Sequence, residues 1–518
     1  MSPEKSRSAK DQRRSRGGAA RRAEGVSSGP AQRLVAVRDL MRRDGITALL
    51  VPTTDPHQSE YVPQCWTRRA WLSGFTGSAG ELLVTADDAA LWTDGRYWIQ
   101  AARELRGSGI RLMKSGISGV PTLHQRLAAI LEPGQVVAVD ARTISVRAAA
   151  ELERAIRPSG ARVSFLRENL VDEIWTDRPE PPLEPVQILP PKFSGETTAS
   201  KLRRVRKEMA SRRADALLVS ALDAVAWLFN IRGRDTAYNP ITIAYGLVTS
   251  GQASLFIDAR KLPDGVRQRL GSQITIRPYE DLEAALRELA AERRRVWAEE
   301  AGTSRWAADL LKDCPLVTEP SPIHLMKARK NATEIAGMKA AHVRDGVAMV
   351  RFLRWLSEAV GREELTESDV ARQLEALRAE GEHFQGLSFD TISAYGEHAA
   401  LPHYRTIPET DVPLKLEGMY LVDSGAQYLD GTTDITRTVL LGRRAPARYR
   451  EEFTRVLKGH IAMATARFPT GVKGYRLDVL ARVPLWEAGL DYNHGTGHGI
   501  GHFLCVHEGP QSISSREG

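Results

Sequence analysis

Apolar residues near the start of the chain follow first the period of a helix and then the pattern of a buried strand. They recur at helical spacing over 34–41, and the apolar run 46–51 comes directly after the turn signal Asp44-Gly45. The same plan returns at 202–219, where eight of 18 positions are identical to 34–51. We therefore predict two copies of one α/β domain, each opening with a helix and a strand.

Prolines separate the two copies. Six of them fall between Pro179 and Pro191, and because proline fixes φ and lacks an N–H, this stretch predicts an extended linker. Helical periodicity resumes beyond Pro322 and leads into a third region. The pattern thus divides the chain into a tail (1–30), a first domain (31–178), a linker (179–195), a second domain (196–325) and a third domain (326–518).

Composition places the chain among ordinary globular proteins. Hydrophobic residues make up 42% and charged residues 26% of the 518 residues, enough for about three or four domains. No run approaches the ~20 apolar residues of a membrane helix, and the start lacks an apolar secretory segment. Three distant cysteines, Cys65, Cys314 and Cys505, predict no disulfide framework. These features favour a reduced, cytoplasmic protein that has no membrane partner.

Positive charge is concentrated at the N-terminus. The net charge is +8, and residues 1–30 contribute +5 of it. Because this stretch has few large apolar side chains to offset its ordering entropy, we predict a disordered basic tail. Nucleic-acid contact and an organelle transit peptide are the alternatives for the tail, and its three acidic residues count against the second. For the folded body we expect no nucleic-acid partner.

Candidate chemistry lies in the third domain, where two aspartates follow a hairpin pattern. The segment 420–425 predicts a strand that carries Asp423, and an Asp-Gly turn at 430–431 leads to Asp434 and a returning strand at 435–441. Two carboxylates roughly opposite one another repel unless a cation lies between them, and oxygen ligands suit Mn²⁺ and similar ions. The alternative is a pair of solvated hairpin aspartates.

Histidines are dense further along the third domain. His494, His498, His502 and His507 fall within 14 residues, and the interleaved glycines favour a loop or strand over a helix. Imidazoles in such a cluster can bind a metal ion or transfer protons near neutral pH. A purely structural role is the alternative, most of all for the isolated His403.

Together these motifs resemble one known family. Asp423-Ser-Gly-Ala-Gln-Tyr-Leu-Asp-Gly-Thr-Thr-Asp434, His494-Gly-Thr-Gly-His498 and Val506-His-Glu-Gly-Pro510 are similar to the site motifs of the Xaa-Pro aminopeptidases, which are pita-bread metallopeptidases. Near the front, Asp55-Pro-His-Gln-Ser-Glu-Tyr61 and Trp92-Thr-Asp-Gly-Arg-Tyr97 resemble the three-domain form of these enzymes. The resemblance covers all of the chain except the tail.

The resemblance implies an α/β (α+β) fold, with two similar creatinase-type domains followed by a pita-bread catalytic domain. It implies removal of the N-terminal residue from peptides that have proline at the second position, by a hydroxide held between two divalent metal ions, Mn²⁺ first among the candidates. It also implies a homodimer. By the same resemblance Asp423, Asp434 and His498 would bind metal, and His403, His494 and His507 would line the pocket, orient the peptide and move protons.

The chain departs from the family in its glutamates. The family uses two glutamate ligands downstream of the His-Glu-Gly-Pro motif, but only eight residues follow Pro510 here. Glu508 lies inside that motif at a position the family does not use, and the surroundings of Glu517 match neither glutamate segment. We therefore expect an incomplete pita-bread domain with unpaired sheet edges and exposed apolar side chains.

Two explanations of this departure compete. The sequence is either a fragment or frameshifted version of an active enzyme, which we favour, or a pita-bread pseudo-enzyme that binds peptides without cleaving them. An open frame beyond residue 518 that encodes two further glutamate-bearing strands would support the enzyme. A third hypothesis, metal-free creatinase-like hydrolysis of a small amidine, is disfavoured because it has no need of Asp423 and Asp434.

For the 518-residue chain we expect weak Mn²⁺ binding and poor hydrolysis of X-Pro peptides, because two metal ligands of the family are missing from it. The measurement is release of the first residue from an Arg-Pro-Pro peptide by the purified chain with added Mn²⁺. Full activity would show that the ligand set has been misjudged.

Overall fold

The first domain is built on a six-stranded mixed sheet. The computed structural model describes residues 29–271 and 273–516, so most of the predicted tail, residues 1–28, lies outside the described residues. The strand order is β4-β3-β2-β1-β5-β6. The strands are β1 (Ala48–Pro52), β2 (Glu81–Thr85), β3 (Ala89–Thr93), β4 (Arg111–Lys114), β5 (Val136–Asp140) and β6 (Arg162–Leu166), and the helices are α1 (Pro30–Arg43), α2 (Arg68–Ser73), α3 (Trp98–Glu104), α4 (Leu123–Ile130), α5 (Val146–Ile156) and α6 (Leu170–Ile174).

The second domain repeats this sheet in the order β12-β11-β10-β8-β13-β14. In both sheets the first strand along the chain pairs antiparallel with the next one and parallel with the fifth. Its elements are α7 (Pro191–Ser194), α8 (Thr198–Ser211), α9 (Leu222–Leu228), α10 (Asp264–Leu270), α11 (Leu282–Ala291), α12 (Arg305–Leu310), α13 (Pro322–Ala328), β7 (Gln187–Ile188), β8 (Ala216–Val219), β9 (Ile231–Arg232), β10 (Ala244–Thr249), β11 (Ala253–Ile257), β12 (Ile274–Arg277), β13 (Val296–Trp297) and β14 (Leu316–Val317). The shared topology confirms the prediction of two copies.

The repeated sequence pattern encodes the same packing in both domains. Helices cover each sheet on both faces, so side chains that alternate along the first strand enter two separate cores. Leu49 packs with the buried face of α1, whereas Leu50 faces α4 and α5. Leu217 and Leu218 divide in the same way in the second domain. The identical positions found in the sequence are therefore mostly core positions.

Part of the predicted linker belongs to the second domain. β7 pairs with β9, and the neighbouring Val186 and Leu189 are buried. The apolar residues among the prolines explain this, because they bury enough surface to dock the segment on the second core. Residues 179–185 carry no helix or strand, as the proline pattern predicts.

The third domain contains two three-stranded sheets, ordered β15-β18-β19 and β16-β17-β20, and a strand pair, β21-β22. The predicted strands at 420–425 and 435–441 are β17 and β20, which pair antiparallel, but the Asp-Gly turn joins β18 to β19 instead of β17 to β20. The elements are α14 (Ala332–Ala359), α15 (Glu367–Ala379), α16 (Ala447–Thr465), α17 (Gly474–Trp486), β15 (Phe384–Leu387), β16 (Ile392–Tyr395), β17 (Met419–Ser424), β18 (Ala426–Tyr428), β19 (Gly431–Thr432), β20 (Ile435–Leu440), β21 (Gly497–Gly499) and β22 (Glu508–Ile513).

The second domain holds the histidine-rich segment of the third by its backbone. The buried Arg232 guanidinium donates to the carbonyl oxygens of His502 and Phe503. Lys327 in α13, the last helix of the second domain in the structure, and Lys330, just after that helix, form ion pairs with the buried Glu508 carboxylate. Because buried charges are tolerated only when paired, these contacts fix where the segment lies relative to the second domain.

Large apolar side chains are exposed on helices of the third domain. Phe453 and Ile461 on α16 and Trp486 on α17 are 49, 52 and 46% exposed. These three side chains lie on the two helices that pack against each other between β20 and β21. Within the described ranges, no helix combines the length and apolarity needed to cross a bilayer.

We predict that a buried ion pair, rather than an exposed one, fixes α15 against α14. Arg378 makes a bidentate bond to Asp345 at 2.8 and 2.9 Å, and both are buried. Arg378→Met should lower the free energy of unfolding by about 3–5 kcal/mol, because it leaves a buried carboxylate without its cation. The measurement is urea unfolding followed by the helical circular dichroism signal.

The matched control is Arg351→Met, which breaks an exposed Arg351–Glu380 pair between the same two helices. This change should cost about 1 kcal/mol or less. Equal losses for the two variants would show that burial does not decide the strength of these pairs.

Candidate metal and peptide site

One cavity of about 690 Å³ collects most of the predicted site residues. It lies where loops of the first domain, the start of the second domain and the third domain meet. Side chains from the first domain complete its wall, which the sequence motifs at 55–61 and 92–97 had signalled without assigning individual roles. The cavity is lined, among others, by His403, Asp423, Asp434, His498 and His507 of the predicted set and by Glu60, Tyr61, Ser78 and Tyr97 of the first domain.

A glycine brings the two aspartates to the same wall. Asp423 is the last residue but one of β17 and pairs with Thr436, whereas Asp434 directly precedes β20. A side chain at Gly425 would collide with the carbonyl oxygen of Thr433, so only glycine lets the two backbones cross here. The carboxylates are therefore close, although they are not opposite one another in the ladder as the simple hairpin predicted.

Asp423 is held in a position that disfavours its charge. Burial raises the pKa of its carboxyl to about 6, with the nearby Asp434 charge adding to the effect. The Thr436 hydroxyl donates a hydrogen bond of 2.7 Å to Asp423 and opposes the shift only in part. A cation beside these carboxylates would offset the electrostatic cost of the charge on Asp423.

His498 links directly to Asp434. Its Nε2 donates to the Asp434 carboxylate at 3.1 Å, and its Nδ1 donates to the carbonyl oxygen of Gly499 at 2.8 Å. The hydrogen bond to Asp434 raises the pKa of His498, so the doubly protonated ring is favoured. The ring of His507 packs edge-on at 4.4 Å between centroids.

Two further histidines of the cavity are held by the first domain. The Nδ1 of His507 donates to the Glu60 carboxylate at 2.8 Å, and Tyr97 bonds to Nδ1 of His403 at 2.6 Å. Burial opposes the Glu60 charge, yet the bond from His507 brings the Glu60 pKa below its ordinary value. Burial lowers the pKa of His403 to about 4, so this ring is neutral near pH 7.

His494 does not join the others. Its ring is exposed and packs on Tyr492 at 4.6 Å, and its backbone carbonyl accepts a bond from Arg482. The expectation that His494 lines the pocket is therefore not met, because these contacts keep its ring on the outer side of the loop. His502, which was not assigned to the site, is buried with neither ring nitrogen hydrogen bonded.

The donor set fits divalent cations in its chemistry but not yet in its spacing. Carboxylates and an imidazole are ordinary ligands of Mn²⁺ and similar ions. In the described part of the chain, however, no three such side chains stand close enough to hold an ion as they are. The bond between Asp434 and His498 joins two donors to each other, and the buried Glu508 is taken up by Lys327 and Lys330. Glu517 lies outside the described residues.

Two creatinase-type domains followed by a pita-bread domain with this aspartate and histidine set define a metallopeptidase of family M24. The family models agree: a creatinase/prolidase N-terminal domain matches residues 33–168 and again 177–334, and metallopeptidase family M24 matches 336–518. Its similarity to relatives of that name shows that the chain belongs to the Xaa-Pro aminopeptidase P family.

The relatives match almost the whole chain. A probable Xaa-Pro aminopeptidase P of Chaetomium globosum is 44% identical over 513 residues, which covers 94% of this chain and 81% of the relative. That of Coprinopsis cinerea is 42% identical, with coverage of 94% and 80%. Among solved structures, an X-prolyl aminopeptidase from Caenorhabditis elegans, described as a cytosolic enzyme with a di-nuclear active site, superposes with a TM-score of 0.91 at 37% identity. The superposition covers 94% of this chain and 82% of that one.

Neutralising Asp423 should stabilise the metal-free protein. Its folded pKa of about 6 lies above the 3.8 of an ordinary aspartate, so the charged form is disfavoured on folding. The cost is fully present above pH 6 and disappears as the pH falls below about 4, where the carboxyl is protonated in both states. Asp423→Asn should therefore raise the free energy of unfolding at pH 8 by up to about 3 kcal/mol.

Thermal unfolding in chelator at pH 8 and near pH 4 measures this difference. Glu358→Gln is the control, because Glu358 is exposed and pairs only with Arg354 in a helical i, i+4 bridge. A gain for Asp423→Asn that does not change with pH would contradict the assignment of the strain to this charge.

Proposed function

We propose that this protein is a metal-dependent aminopeptidase that releases the N-terminal residue from peptides with proline in the second position. The observation that carries the proposal is the convergence of Asp423, Asp434 and His498 with two further histidines in one cavity. The names of the relatives support the activity, and they do not favour a pseudo-enzyme.

Asp423, Asp434 and His498 are the residues that would hold two divalent ions, with Mn²⁺ as our candidate. When bound, such ions supply an activated water and polarise a carbonyl group. His498 must then give up the proton on Nε2 that it now shares with Asp434, so metal binding should release protons and weaken at low pH. The raised pKa of His498 acts in the same direction.

The other cavity residues act on the peptide. His403 and His507 present ring nitrogens to the space beside the aspartates, where they can bond to the peptide carbonyl and the leaving proline nitrogen. The bond from Nδ1 of His507 to Glu60 leaves its Nε2 as the free nitrogen. An X-Pro amide has no N–H, so this cavity needs no acceptor for one.

The proposed compartment is supported by one relative, and the proposed homodimer only by the resemblance of the sequence motifs to the family. We propose that the protein works in the cytoplasm on proline-containing peptides and forms a homodimer. The C. elegans enzyme, which is described as cytosolic, supports the first of these statements.

Hydrolysis should depend on proline and on Asp434. With added Mn²⁺ the chain should release arginine from Arg-Pro-Pro, slowly because two metal ligands of the family are missing, but not from Arg-Ala-Pro, and a chelator should abolish this residual reaction. Asp434→Asn should lower kcat by about 100-fold or more, because a metal ion supplies several kcal/mol of stabilisation in the transition state. The loss of free Mn²⁺ signal in electron paramagnetic resonance reports binding independently of turnover.

The control is Asp309→Asn, which removes an exposed carboxylate of α12 far from the site motifs and should leave both readouts unchanged. Equal cleavage of the two peptides, or unchanged Mn²⁺ binding by Asp434→Asn, would refute the proposal.

A further inference from the structure

A chain of hydroxyl groups from the first domain ends on His403. The Tyr97 hydroxyl lies 2.6 Å from Nδ1 of His403 and 2.6 Å from Oγ of Ser78. Tyr97 comes from the turn between β3 and α3, and Ser78 from the loop before β2. His403 belongs to the third domain, so the bond between Tyr97 and His403 connects the two domains at the cavity wall.

Packing leaves the Tyr97 ring almost no freedom. Tyr97 is only 3% exposed, and its ring meets Phe75 edge-on at 5.8 Å. The Arg96 guanidinium lies 5.3 Å from the ring centroid and is itself anchored by a bidentate bond to Asp94. A side chain at Gly77 would collide with both Phe75 and Tyr97. The phenol oxygen is therefore a fixed point against which the His403 ring is oriented.

The number of available protons decides which group donates and which accepts in the two hydrogen bonds of Tyr97. The phenol has one proton and two polar neighbours, so it either donates to His403 and accepts from Ser78, or the reverse. A phenol, with an ordinary pKa of about 10, is a far stronger acid than a neutral imidazole N–H, so the bond from the phenol to the imidazole nitrogen is the stronger arrangement. Ser78 then donates to Tyr97, and the single proton of the neutral His403 ring sits on Nε2.

We propose that Tyr97 is a positioning residue that holds His403 as the neutral Nε2–H tautomer, so that His403 donates to a carbonyl oxygen of the peptide and does not serve as a general base. The identity of the acceptor, a peptide carbonyl, rests on the proposed function. The tautomer of His403 is independent of that function. His507 has the opposite arrangement, because its Nδ1–H donates a hydrogen bond to the Glu60 carboxylate. The cavity would thus hold one donor and one acceptor imidazole.

Surrounding charges support a neutral His403. Burial is the main cause of its low pKa, and the positive charge of Arg96 acts in the same direction. Glu60 and Asp94 oppose the effect, but Glu60 already accepts from His507 and Asp94 from Arg96. The Tyr97 bond therefore selects between two tautomers of an uncharged ring.

Nuclear magnetic resonance of the full chain with ¹⁵N-labelled histidine tests the tautomer directly at pH 7.5. The His403 signals are those missing from His403→Gln. We expect Nδ1 of His403 to show the shift of an unprotonated nitrogen, and Tyr97→Phe to introduce a population protonated at Nδ1. A wild-type ring protonated at Nδ1, or a tautomer that Tyr97→Phe leaves unchanged, overturns the proposal.

Kinetics on Arg-Pro-Pro with Mn²⁺ form the second arm. Tyr97→Phe should lower kcat about 10-fold with KM changed less than about 3-fold, a smaller loss than removal of an oxyanion donor because His403 remains. Ser78→Ala should lower kcat about 3-fold, the size of one neutral hydrogen bond. Tyr449→Phe, on the exposed face of α16, is the matched control without effect.

The two arms separate the two proposals. Absence of X-Pro hydrolysis in the wild-type protein would defeat the proposed function, whereas the tautomer would still be decided by the resonance spectra. If Tyr97→Phe does not fold, the wild-type spectrum and the Ser78→Ala variant decide instead. A wild-type His403 ring protonated at Nδ1 contradicts the proposal, and so does an unaltered kcat in Ser78→Ala.

Discussion

The structure of the site depends on two carboxylates that are brought together where their charges are costly. Gly425 permits the backbone crossing that places Asp423 beside Asp434, and burial then disfavours the charge on Asp423. Without a metal ion, the repulsion between the carboxylates is reduced by a proton that His498 shares with Asp434. Divalent cations would compensate the two carboxylates more fully, because their positive charge is larger than that of the single proton. The same repulsion that disfavours the charge on Asp423 is therefore what a bound cation would relieve.

The two copies of the N-terminal domain have come to serve this site in different ways. The first copy reaches the cavity with side chains, where Glu60 and Tyr97 each hold one histidine ring. The second copy contacts the histidine-rich segment instead. Arg232 donates to the backbone carbonyls of residues 502 and 503, and Lys327 pairs with Glu508. One copy thus orients reactive groups, and the other fixes the segment that carries them. The shared sheet topology provides the rigid frame for both tasks.

Histidine roles in this protein are set by the partner of one ring nitrogen. His403, His498 and His507 differ in what their Nδ1 contacts: a phenol, a backbone carbonyl and a carboxylate. Each partner leaves the remaining nitrogen in a different state, so neighbouring imidazoles of equal intrinsic chemistry can take different tasks. His494, whose Nδ1 turns back to its own loop at Gly495, has no such partner across the cavity.

The sequence by itself determined the repeated α/β domains and the strands that carry Asp423 and Asp434, because alternating and helical apolar patterns follow from local geometry and burial. The resemblance to a known family also indicated five of the residues that line the cavity, although the isolated His403 lies outside the family motifs. Tertiary structure decided the rest: the docking of residues 186–189 on the second core, the turn that became β18–β19, the outward position of His494 and the bond between Tyr97 and His403. The docking of residues 186–189 and the bond between Tyr97 and His403 join distant parts of the chain, 306 residues apart in the second case. No local pattern encodes such contacts, because they exist only once whole domains have packed together.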